Sequence, residues 1–170
     1  MKRILISLLV AVMAATAVAQ SNSLSAYIID DTPTNVRSAP NGNVVLKLPC
    51  DASYIVEVTT PRDGWWRLTY VEKAEEGEEI DLKKIQAKQF WVHASVLALG
   101  TRNYGGERLV LRDEPSENAK VVYAFNEEMS VTPLDVKDDW VKVSIGDGKG
   151  KHIGWIETEW LCSNPLTNCC

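Results

Sequence analysis

Trp65-Trp66-Arg67-Leu68 and Trp140-Val141-Lys142-Val143 decide how this chain is read. Both runs alternate in side-chain character, as half-buried strands do. Each has the same neighbours on either side. Upstream lie Val36-Arg37-Ser38-Ala39-Pro40 in one case and Leu111-Arg112-Asp113-Glu114-Pro115 in the other, followed by Val44-Val45-Leu46 and Val121-Val122-Tyr123. Downstream lie Phe90-Trp91-Val92 and Gly154-Trp155-Ile156, closing at Val96-Leu97 and Trp160-Leu161. The offset is 75 residues at the arginines (112 less 37) and at the leading tryptophans (140 less 65). It falls to 64 at the closing strand (155 less 91), because the first stretch carries extra residues over 72–89. An ordered internal repeat is the first organising signal in any chain. Short β-rich runs between turn clusters such as Asn41-Gly42 and Arg62-Asp63-Gly64 predict small all-β units.

The repeated order resembles the bacterial SH3-like domain family, over roughly residues 26–161. The resemblance rests on the Arg-to-Pro turn, the Trp strand and the closing Trp strand, present twice. Phe90 departs from the pattern, standing where the family has Gly before Trp91. The resemblance implies two tandem SH3-like small barrels, at 20–99 and 109–161. Residues 100–108 then read as a linker and 162–170 as a cysteine-bearing tail. It also implies an exported, non-catalytic binding module for cell-wall peptide or glycan, or for an exported protein partner. The alternative is a structural protein of an envelope assembly with no small ligand.

The extra segment holds Glu75, Glu76, Glu78, Glu79 and Asp81 around Gly77. Leu82, Ile85 and Gln89 then recur at helical spacing behind Asp81, an N-cap type. The expectation is an acidic hairpin tip followed by one or two turns of helix, so that the first copy has a partly helical insertion.

Residues 1–19 read as a secretory signal. Lys2 and Arg3 precede an apolar run from Ile4 to Ala15, and Ala17-Val18-Ala19 offers small residues for cleavage before Gln20. The run is too short to span a bilayer, so no stable membrane insertion is expected after its removal. Removal takes away two bases and no acids, leaving 16 bases against 23 acids, a net charge of −7. Such a balance disfavours phosphate backbones and excludes nucleic acid as a partner. Export to the periplasm or beyond permits disulfides, and Cys50, Cys162, Cys169 and Cys170 are the candidates. Their pairing is open among three full connectivities.

No residue pattern indicates an enzyme. Cys50 follows Pro49 at a strand end, away from any helix N-terminus that would lower its pKa. His93 and His152 belong to different copies, and paired aspartates sit in turns. The cysteines and histidines lack metal-ligand spacing, so neither a metal nor a cofactor is expected. The binding candidates are aromatic and basic. Adjacent strand residues point to opposite faces, so one of Trp65 and Trp66 should be partly exposed or cover the insertion. Trp91 and Trp155 read as core. Arg37 and Arg62, on the turns at Thr32–Asn43 and Thr60–Trp65, are placed to pair with carboxylates of wall peptides.

Overall fold

The computed structural model describes residues 22–103, 105–148 and 150–167. The leader over 1–19 lies outside the described residues, as do Cys169 and Cys170. The first half contains β1 (Ser23–Ile28), β2 (Thr34–Arg37), β3 (Val44–Leu48), β4 (Tyr54–Arg62), β5 (Trp65–Lys73), β6 (Glu78–Glu79), β7 (Phe90–His93) and β8 (Leu97–Thr101). The second contains β9 (Leu109–Arg112), β10 (Val121–Phe125), β11 (Ser130–Lys137), β12 (Trp140–Asp147), β13 (Gly150–Glu157) and β14 (Leu161–Cys162). The fold is all-β, and every strand pairing among the described residues is antiparallel.

The strands do not separate into two closed barrels, as the sequence led us to expect. They join in one open path, β10-β9-β13-β12-β11-β8-β1-β4-β5-β7-β2-β3. The join is β8. Its Leu97 and Ala98 pair with β1, its Leu99 and Gly100 with β11, and its Gly100 and Thr101 with β14. Gly100 and Thr101, read as the start of a linker, are therefore strand. The stretch is apolar through Leu97-Ala98-Leu99, as a strand flanked on both sides should be.

One core serves both halves. Val36, Val56, Val58, Trp66 and Val92 from the first belong to the same cluster as Leu111, Val141, Val143, Ile145 and Ile156 from the second. Trp66 is wholly buried, at 0% exposure, and its Nε1 donates to the Pro133 carbonyl at 3.2 Å. Pro133 sits in β11 beside a register shift, where a proline is tolerated because the ladder is already broken. Tyr27 and Ser130 add a hydroxyl contact of 3.0 Å between the halves.

The insertion is only partly as expected. β5 runs on to Lys73 and turns through Gly77 (φ 65°) into β6, giving the acidic hairpin. No α-helix follows. Leu82–Lys84 form a single 3-10 turn, with Asp81 accepting from the Lys83 backbone N–H at 3.0 Å. Ile85 is already extended (φ −93°, ψ 132°). The spacing from Leu82 to Ile85 comes from one such turn. Both side chains, with Ala87, pack against the core from its flank. Among the described residues no helix is long and apolar enough to cross a membrane.

Two measurements follow. Trp66→Ala removes a large buried ring and orphans the Pro133 carbonyl, so stability should fall by about 3–5 kcal/mol in a denaturant melt. Probes in both halves should report the same transition, whereas separable transitions would mean separate cores. The second concerns the hairpin tip. Glu78 is held below the ordinary 4.5 by its hydrogen bond to Lys73, and Glu75 by hydrogen bonds to Ser53. A carboxylate with a lowered pKa stabilises the fold above its unfolded value and loses that contribution as pH falls through its folded value. The tip should therefore loosen below about pH 4 while the core persists, read as NMR shift changes confined to residues 73–79.

Candidate functional site

Residues paired directly across antiparallel strands share a face. Trp65 pairs with His93, and Arg67 with Trp91, which pairs in turn with Arg37. These five side chains occupy the face of β2, β5 and β7 turned away from the common core. Phe90, Val92, Trp66 and Leu68 face inward. Trp65 meets the His93 ring edge-on at 5.1 Å between centroids, and the Arg37 guanidinium carbon lies 5.9 Å from its centre. The Trp91 Nε1 donates to Gln89 Oε1 at 3.2 Å. This face is therefore polar at its rim and aromatic beneath.

The Asp63-Gly64 turn sets its lower end. Both residues have positive φ, 51° and 81°, and join Arg62 to Trp65 as a cross-strand pair. That is the two-residue hairpin such dipeptides favour, because its twist matches the strands. The Gly64 carbonyl accepts from Ala94 N–H at 2.8 Å, tying the tip to the end of β7. Arg62 stands out at 70% side-chain exposure. Its ion pair with Asp63, at 3.7 Å, is also exposed and holds it only weakly.

Arg37 spends one donor internally. Its Nη1 donates to the Gly42 carbonyl at 2.8 Å, closing the turn after β2. Arg112 does the same for Ala119, also at 2.8 Å, and pairs across to Trp155. The Lys142 Nζ sits 6.0 Å from the centre of the Trp155 ring. On the other side of the loop, Asp30 accepts from the Thr32 backbone and from the hydroxyls of Thr32 and Thr34. The Thr32 backbone N–H is the main reason its carboxyl lies below the usual range.

Several expectations change here. Neither Trp65 nor Trp66 is exposed. Trp66 is the junction residue described above, which removes it from any ligand surface. Trp65 is 8% exposed because Arg37 and His93 cover it. Trp91 and Trp155 are buried, yet they belong to the outward face beside the arginines and outside the common core. Basic residues neighbour both rings: Lys142 reaches Trp155, and Arg37 and Arg67 pair across the strands with Trp91, neighbours that strand alternation does not reveal. Cys50 is an exposed free thiol on the turn between β3 and β4, and not a disulfide partner. Cys162 is buried, with its sulfur 3.5 Å from the carbonyl oxygens of Asn164 and Thr167.

His93 Nδ1 accepts from the Ser95 backbone N–H at 3.2 Å and contacts its hydroxyl at 2.8 Å. His152 stacks on Tyr123 at 3.8 Å. Among the described residues no group of three His, Cys, Asp or Glu side chains is placed to hold a metal ion.

Residues 107–161 match the family described as Bacterial SH3 domain. The chain is also similar to two solved structures from Trichomonas vaginalis. One is NlpC2, at 17% identity over 84% of this chain and 49% of that one, with a TM-score of 0.32. The other is NlpC1, at 16% identity over 90% and 50%, also with a TM-score of 0.32. The chain spans about half the length of each. No curated protein matches it. The NlpC names overturn the expectation that this chain is not an enzyme, and that expectation is withdrawn. At this TM-score the likeness assigns the chain neither a reaction nor a catalytic residue.

An exposed free thiol should react without unfolding. Iodoacetamide should label Cys50 in the native protein, with Cys162 labelled only after denaturation and reduction. A native protein that takes no label at Cys50 would contradict its exposure.

Proposed function

We propose that this chain is an exported, cell-wall-associated module that holds wall peptide or glycan, or an exported protein partner. The match of residues 107–161 to the bacterial SH3 domain carries the proposal. Domains of that family often bind cell-wall components and are usually extracellular or wall-associated. The proposal extends the SH3-like reading to residues 20–99. In support, β2 pairs with β3 and β7 as β9 pairs with β10 and β13, and β5 pairs with β4 and β7 as β12 pairs with β11 and β13. Export through the leader at 1–19 belongs to the same proposal. So does a bridge from Cys162 to Cys169 or Cys170, which the burial of Cys162 and the exposure of Cys50 favour.

The ligand surface in this reading is formed by the turns at 32–43 and 60–65. Arg62 projects freely, Arg37 is fixed by Gly42, and the Trp65 edge lies between them. A preformed loop loses less entropy on binding, so the internal bond of Arg37 favours recognition. The second reading, a structural role in an envelope assembly, draws on the two ends of the sheet. β3 and β10 carry exposed Val44, Val121 and Val122, apolar side chains on strands open to pairing with another chain.

Retention on purified peptidoglycan distinguishes the two. Arg62→Ala should leave the melt unchanged, because the side chain is exposed. Its retention should fall about tenfold, the scale of one charge-assisted contact. Unchanged retention would remove this surface. No retention of the parent protein would leave the structural reading.

A further inference from the structure

The insertion between β5 and β7 forms a groove that the wall-facing turns do not use. Its volume is about 320 Å³. Leu82, Ile85 and Ala87 form an aliphatic floor, half-buried against the core. Arg67, Lys83 and Lys88 stand around it. We propose that this groove receives an acidic peptide segment of a partner protein, with its carboxylates on the three cations and its aliphatic side chains on the floor.

The charge pattern is the argument. The chain is acidic overall, at a formal net charge of −5. Its exposed bases therefore have many acids within reach. The ion pairs among the described residues nevertheless belong to Arg62, Lys73 and Lys84. Arg67, Lys83 and Lys88 take part in none of them. Apart from the exposed Glu79, the acids of the acidic tip are engaged elsewhere. Asp81 caps the 3-10 turn and pairs with Lys84, Glu75 accepts from the Ser53 backbone, and Glu76 and Glu78 hold Lys73. Three cations outside the ion pairs, around a half-buried aliphatic floor, form a complement to carboxylates spaced by aliphatic groups.

Other occupants fit less well. A sugar asks for an open aromatic face, and Phe90, the aromatic ring in the groove wall, is buried. A membrane surface asks for a cluster of about four to eight bases and projecting apolar groups. Here the apolar groups are recessed. Addition of a strand is also excluded at this point, because Leu68 is already paired to Val58 on one side and Phe90 on the other. Recognition must come from side chains.

The test uses the mature full chain and a fluorescein-labelled peptide of alternating glutamate and leucine, read by fluorescence anisotropy. A glutamine-leucine peptide of equal length serves as the control. The acidic peptide should bind saturably, at least about tenfold more tightly than the control, and several-fold more weakly when salt rises from about 20 mM to about 300 mM. Lys83→Ala with Lys88→Ala changes two exposed side chains, so the melt should hold while affinity falls about tenfold or more. Equal binding of the control peptide, full binding by the double variant, or no saturation up to about 1 mM would overturn the proposal. So would loss in the double variant of binding to phosphatidylglycerol vesicles or wall fragments, with peptide binding intact. Peptidoglycan retention should be unchanged in the double variant, which separates this groove from the Arg62 surface.

Discussion

The Trp66 indole N–H reaches the Pro133 carbonyl across 67 positions of sequence, and the relation between the two halves follows from that contact. Trp66 is the second residue of β5 and faces inward, with Leu68 and Val71 following on the same side. A ring of that size overruns the first half's own core. Its polar edge must find a partner when buried, and the partner lies in β11 of the second half. Pairing of β8 with β1, β11 and β14 brings the necessary strands together. The two halves therefore cannot change their angle without stripping a buried donor and opening the core. The loops on the outer face inherit this stiffness.

On that outer face a second device recurs. Arg37 and Arg112 each reach back to a carbonyl of the following turn, at the same distance, while each pairs across to a closing-strand tryptophan. The guanidinium has donors to spare, so one bond to the loop leaves the rest of its fork for other contacts. The Arg37 guanidinium also lies over the Trp65 ring. Arg37 thus fixes a loop and lies over a ring.

Much of this was legible in sequence. Short β-rich runs between turn clusters indicated an all-β fold, and the fold is all-β. Asp63-Gly64 announced its hairpin, and Asp81 its capping role. What failed was everything that depended on contacts between distant segments. Alternation put one of Trp65 and Trp66 partly in solvent or against the insertion, because it counts faces and not what covers them. Arg37 and His93 cover one ring, and the second half covers the other. The loop-like Gly100 and Thr101 are strand because β11 and β14 pair with them. The helical spacing of Leu82 and Ile85 is also that of one 3-10 turn, and only three-dimensional packing distinguishes the two.

The position before the closing tryptophan separates the packing of the two halves. In the second half it is Gly154, where a Cβ would stand 2.8 Å from both the Arg112 carbonyl oxygen and the Leu111 Cβ. No larger residue fits unless β9 gives way, so β13 lies tight against β9. In the first half the same position holds Phe90, paired with Leu68, its ring buried in the common core. A ring here needs space that a close strand approach denies. The insertion that precedes it runs alongside β5 and not across it. Phe90 thus closes the end of the groove that Leu82, Ile85 and Ala87 line. With glycine at this point, the groove would lose its end wall. The same slot packs two strands together in one half and lines a groove in the other, so the departure from the repeat and the extra residues before it form one structural unit.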